Sequence, residues 1–180
     1  MSLSTSTPHN LFTIGHSNHA WERFAGMLTQ HQVEVLVDVR SQPYSQYTPH
    51  FNHDQIAAAL AAADVRYLFL GQELGGRPND ERFYDAEGHV LYAELAKAPL
   101  FLQGLDRLQR GIERFRVTLM CSEEDPTVCH RFLLVSRVLA DRGVGLQHIR
   151  GDGRLQSQRE LVVAPSGGQK LLFPESESKP

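Results

Sequence analysis

Apolar residues along this chain fall into short dense runs separated by polar stretches bearing glycine and proline, and strand-like and helix-like periods alternate. Phe12-Thr-Ile-Gly15 is a β-prone run closed by glycine, and Trp21, Phe24 and Leu28 follow at helical spacing behind Ser17 or Asn18 as cap. Residues 33–39 form the densest branched run, the pattern of a strand covered on both faces as in a parallel sheet. Pro43 and Pro49 break residues 41–52 into a loop, and an alanine-rich helix is predicted over 54–62. A third strand is predicted at 65–70, with glycine-rich residues 71–77 after it. Residues 91–109 read as helix interrupted near Pro99, and 115–120 as a fourth strand. Val128, Phe132, Val135 and Leu139 mark one face of a helix over 127–141, and 146–149 is a short fifth strand. Residues 160–163 and 170–173 are expected to pair as a hairpin across Ser-Gly-Gly.

Strands alternating with helices through short turns predict one α/β domain, with a mostly parallel sheet of about five strands flanked by helices. That domain is expected over residues 11–173, with flexible ends at 1–10 and 174–180. Composition agrees with this picture: 180 residues suffice for a core without disulfide staples, and 41% hydrophobic with 22% charged residues excludes a disordered or membrane-embedded chain. A net charge of −3 argues against a surface dedicated to nucleic acid, although a local basic groove fits within it. Residues 1–10 lack a basic start and an apolar run, and no window reaches the roughly 20 apolar residues of a membrane span. The expected location is the cytoplasm, where both cysteines stay reduced.

The chemistry gathers at predicted strand ends. Cys121 lies where the fourth strand stops, followed by Glu123, with Cys129, His130 and Arg131 further on. Alternation places Cys121 and Glu123 on one side if the strand continues, pairing a thiol with a carboxylate. Asp125-Pro126 supplies a helix cap, and a thiol facing such a helix start has a lowered pKa. Arg131 is suited to clamp a phosphate or carboxylate. Asp38 and Arg40 end the central strand, where open α/β sheets bind ligands, and they serve either as an internal pair or as part of a site. His16 holds the matching position after the first strand. Signatures for dinucleotides, the Walker loop, zincins and the serine elbow are absent. Seven residues separate the cysteines, so there is neither a Cys-x-x-Cys redox motif nor a compact zinc knuckle, and no metal ligand set is assigned.

The ordered set Thr13-Ile-Gly-His-Ser17, Asp38-Val-Arg40 with Pro43 and Ser45, Tyr67 with Leu74-Gly-Gly76 and Pro78, Cys121-Ser-Glu123 with Cys129-His-Arg131, and His148-Ile with Asp152-Gly153 resembles the family known as domain of unknown function 488. The resemblance implies that His16, Ser17, Asp38, Arg40, Gly75, Gly76, Cys121, Glu123, Cys129, His130 and Arg131 belong to one site. It implies no activity. The expectation is an enzyme acting on a small anionic ligand of phosphate or nucleotide type, with Cys121 as the reactive thiol and Glu123 or His16 moving protons. Ser17, Asp38, Arg40, Gly75, Gly76, Cys129, His130 and Arg131 are expected to bind. A nucleic-acid accessory module and a thiolate/histidine metal protein are the alternatives, and cofactor and oligomeric state are left open.

Overall fold

The computed structural model describes residues 11–163. Six strands form its sheet: β1 (Leu11–Gly15), β2 (Val35–Asp38), β3 (Arg66–Phe69), β4 (Val117–Cys121), β5 (Gln147–Ile149) and β6 (Leu155–Ser157), in the order β3-β2-β4-β1-β5-β6. The first five run parallel and β6 returns antiparallel to β5. The single α/β domain is therefore as predicted, with one strand more. The carboxyl-terminal hairpin forms differently. Its turn lies between β5 and β6, residues 160–163 belong to helix α7 (Gln158–Val163), and 170–173 lie outside the described residues. Glu160 favours the helix by accepting hydrogen bonds from the amide and hydroxyl of Ser157, a capping arrangement just before the first turn.

Helices cover both faces because the interior strands are apolar on both. On one face, α1 (Trp21–Gln30) and α2 (His53–Ala62) bury Phe24, Leu28, Ile56 and Leu60 against Phe12, Ile14, Leu36 and Met120. The opposite face takes α3 (Gly71–Leu74), α4 (Tyr92–Leu95), the long α5 (Pro99–Ile112) and α6 (Arg137–Asp141). Phe101, Leu105, Leu108 and Leu139 pack there on Leu11, Val35, Val37, Val117 and Leu119. Alternation along β1, β2 and β4 splits each strand between the two cores, so a register slip of one residue would exchange them. β3 and β6 are the two edge strands, and both are partly exposed, each having a single neighbour. The predicted helix over 127–141 is broken: a 3₁₀ turn spans Pro126–Val128, a π-helical run Arg131–Ser136, and only then α6 follows.

Strand order fixes where a ligand crevice opens. The chain leaving β2 passes through α2 outward to β3, whereas the chain leaving β4 passes on the other face toward β5. These neighbouring strands thus send their connections in opposite directions, and the gap between their carboxyl ends is the topological switch point. Among the described residues no helix is long and apolar enough to cross a membrane.

Candidate functional site

An open cleft of about 250 Å³ lies at that switch point, lined by residues that include Arg40, Gly76, Arg77, Tyr92, Cys121, Ser122, Glu123, Cys129 and His130. β4 ends at Cys121, whose side chain turns to the α5 face of the sheet. The loop after it folds back through the Asp125-Pro126 turn, where the Asp125 carboxylate accepts from the Thr127 amide at 2.9 Å. This turn returns Cys129 and His130 to Cys121. His130 Nδ1 stands 3.7 Å from Cys121 Sγ and 3.9 Å from Cys129 Sγ, and the three atoms lie within 4.8 Å of one another. Both cysteines are buried and unbridged.

The imidazole of His130 is oriented by its far side. Its Nε2 is 3.0 Å from the Val39 carbonyl, which can only accept, so Nε2 carries the proton and Nδ1 presents its lone pair to both sulfurs. Glycine at 76 permits this packing, since a Cβ there would sit 2.6 Å from the His130 ring. The two thiols are biased in opposite directions. The neighbouring Cys129 thiol, acting as hydrogen-bond donor, lowers the Cys121 pKa against the opposing effect of burial, helped by the Ser122 amide and the Arg131 charge. The same contact, with burial, raises Cys129. The contact thus sets the two thiols apart, biasing Cys121 toward the thiolate and Cys129 toward the thiol.

The β2 exit supplies the opposite wall. Asp38 is fully buried and binds Arg40 in a fork, with Nε at 2.9 Å and Nη2 at 2.6 Å, while Tyr67 donates to the same carboxylate at 2.8 Å. Arg40 Nη2 also donates to the Phe51 carbonyl at 2.8 Å, and Nη1 lies 3.1 Å from His16 Nε2. His16 Nδ1 donates to the Ser17 carbonyl at 2.8 Å, so Nε2 is the acceptor for Arg40 and the ring is neutral. Burial and the Arg40 charge lower its pKa to about 4. Four of the five guanidinium protons of Arg40 are therefore committed, and the residue still lines the cleft. The Asp38–Arg40–His16 set is a rigid scaffold that aims one arginine edge.

Of the sequence-derived candidates, Arg40, Gly76, Cys121, Glu123, Cys129 and His130 meet at the cleft. His16 and Asp38 stand behind Arg40 and hold it by hydrogen bonds. Ser17, at a positive φ of 47°, holds the β1 exit against β4 by donating its backbone N–H to the Ser122 carbonyl at 2.8 Å. Gly75 supports the wall, because a Cβ would meet the Gly71 carbonyl and Ser41 Oγ. Arg131 points inward: it is fully buried, and its guanidinium donates to the carbonyls of Glu123 and Glu124 and to Thr13 Oγ1. It ties the β4 exit loop to β1 and lends positive charge to Cys121 from below.

Two further residues line the cleft, Arg77 from the glycine-rich loop expected at this edge and Tyr92 from outside every expected motif. Arg77 is exposed, and its backbone amide donates to Ser41 Oγ at 2.9 Å, which fastens the glycine loop to the β2 exit. Its place at the end of the predicted glycine-rich segment after the third strand was the available signal. Tyr92, at the start of α4, is half-buried beside the sulfurs, and burial with the two cysteines raises its pKa. No spacing pattern reaches it, since four-residue α4 carries no periodic signal.

The architecture defines the class: a doubly wound α/β domain whose switch-point crevice holds a dithiol–imidazole cluster faced by arginine. The chain belongs to the family described as Domain of unknown function DUF488, whose model matches residues 20–138. That match covers the scaffold of Asp38 and Arg40 and both cysteines, while His16 falls before it. No curated protein and no solved structure matches the chain.

Proposed function

We propose that this protein is a cysteine-dependent enzyme acting on a small anionic substrate bound at the β2/β4 switch point. Cys121 is the reactive thiolate, with Cys129 donating to it and His130 Nδ1 available to take or return a proton. Arg40 and Arg77 face the anionic part of the substrate, and Glu123, exposed on the cleft rim, handles a second proton. The observation that carries this reading is the opposed bias of two adjacent thiols, the lowered one at the cleft floor. Mass-spectrometric mapping of limited alkylation by iodoacetamide at pH 7 tests it. Cys121 is expected to be modified first, with Cys129 lagging. Equal modification, or Cys129 leading, would overturn the assignment.

A second reading is supported by the loop after Arg40, where Tyr44 and Tyr47 are 64% and 85% exposed. Exposed rings in a loop that begins at the cleft wall suit stacking on single-stranded nucleic acid. Affinity for a labelled oligonucleotide that falls steeply with salt would favour it, and its absence would leave the small-substrate reading alone.

A further inference from the structure

We propose that Cys121, Cys129 and His130 form a three-ligand site for a single thiophilic divalent cation of the zinc type, with a fourth position opening into the cleft. This goes beyond the thiolate reading, because a bound ion would occupy the sulfur that the metal-free protein uses as nucleophile.

The argument is geometric. Zinc binds thiolate at about 2.3 Å and imidazole nitrogen at about 2.0–2.1 Å, and a tetrahedral arrangement puts sulfur and nitrogen about 3.5 Å apart and two sulfurs about 3.8 Å apart. Here Nδ1 is 3.7 and 3.9 Å from the two sulfurs, with every pair inside 4.8 Å. A few tenths of an ångström of contraction brings both sulfur–nitrogen edges to the tetrahedral value, and the sulfur–sulfur edge already lies within 4.8 Å. Orientation agrees as well: Nε2 of His130 is fixed on the Val39 carbonyl at 3.0 Å, the outer contact that metal-bound histidines make, and Nδ1 has its lone pair aimed at the sulfurs.

The donor set selects the ion. Two sulfurs and an imidazole favour zinc-like cations over magnesium or calcium, which take oxygen. Three protein ligands rather than four leave one vertex free, the pattern of a reactive rather than a closed zinc centre. The three ligand residues line the cleft together with Glu123 and Arg77, which leaves open space beside the cluster for that vertex. On binding, the thiol protons leave to solvent and two thiolates balance the charge of the cation, so no oxidant or reductant is required.

Cobalt(II) serves as the spectroscopic probe. The full-length protein, treated with chelator and kept reduced, is titrated with Co²⁺. One equivalent is expected to give thiolate-to-cobalt charge-transfer bands with the intense visible bands of a tetrahedral ion, and one equivalent of Zn²⁺ is expected to bleach them. His130→Ala is expected to weaken Co²⁺ binding by more than about 100-fold, beyond the 10–100-fold of an outer-shell contact. In the unmutated protein, one equivalent of Zn²⁺ is expected to protect both cysteines from iodoacetamide while Mg²⁺ does not, which needs no variant to fold. Absence of charge-transfer bands, or unchanged Co²⁺ binding in a folded His130→Ala protein, overturns the site. The enzyme reading is scored separately, by the order of alkylation in metal-free protein. Cobalt bands without preferential Cys121 alkylation sink the nucleophile alone, and the converse sinks the metal alone.

Discussion

Acid should unfold this protein early, through two imidazoles. His16 and His148 are 4% and 0% exposed, and burial lowers each pKa from 6.5 to about 4. His148 Nδ1 lies 2.7 Å from Thr13 Oγ1, and its Nε2 lies 2.8 Å from Gln158 Oε1, an acceptor that places the proton on Nε2. The ring is thus fully used when neutral, and the charges of Arg131 and Arg150 oppose its protonation. The unfolded chain takes up these protons near pH 6.5, the folded chain only near pH 4. Stability is therefore complete above pH 6.5 and lost as pH falls toward 4. Between pH 7 and pH 5 the loss is about 2 kcal/mol per histidine, or about 4 kcal/mol for both, a large part of the roughly 5–15 kcal/mol of an ordinary domain. Urea unfolding at pH 7, 6 and 5 measures it, with the midpoint falling at constant slope. His148→Gln removes one titrating ring and should roughly halve the pH dependence. A midpoint flat from pH 7 to pH 5, or a variant with the same dependence as the parent, would refute the reasoning.

Other perturbations read the scaffold. At Gly15 a Cβ would lie 1.7 Å from the Glu123 carbonyl, so Gly15→Ala is expected to lower stability by more than about 2 kcal/mol, read as a fall in the urea midpoint. Arg131→Met leaves the Glu123 and Glu124 carbonyls without their guanidinium donor, while Thr13 Oγ1 keeps its contact with His148, and is expected to lose roughly 2–5 kcal/mol, read as a thermal shift. Tyr67→Phe removes one of the donors to Asp38 and should cost about 1–2 kcal/mol while leaving the Arg40 fork in place. Gly76→Ala presses on the His130 ring and is expected to slow alkylation of Cys121 with little change in the circular dichroism spectrum.

The sheet was legible because its chemistry is periodic. Branched apolar runs ending in polar or glycine residues located β1 to β5, and the ends of β2 and β4 with the loop after β3 border one crevice, while the β1 exit stands behind Arg40. β6 was not legible, since Leu155–Ser157 is a three-residue strand with half-exposed side chains and owes its form to pairing with β5. Contact between Cys121 and Cys129 was also hidden. Their spacing matches no short motif, and only the reversal at Asp125-Pro126 closes the distance. Arg131 read as an outward clamp because a helical period gives no account of the π-helical run it begins, within which its guanidinium meets carbonyls of its own loop. Asp38 and Arg40 left two readings open, and both hold in part: the pair is internal, yet its arginine borders the cleft.

The most direct measurement compares alkylation of Cys121 by anionic iodoacetate with that by neutral iodoacetamide in metal-free protein. A thiolate facing Arg40 and Arg77 should show a higher iodoacetate-to-iodoacetamide rate ratio than free cysteine. Arg77→Gln should lower that ratio on the order of twofold, the scale of one charge acting through water across a small cleft. A ratio equal to that of free cysteine, unmoved by Arg77→Gln, would contradict a thiolate set in an anion-attracting cleft.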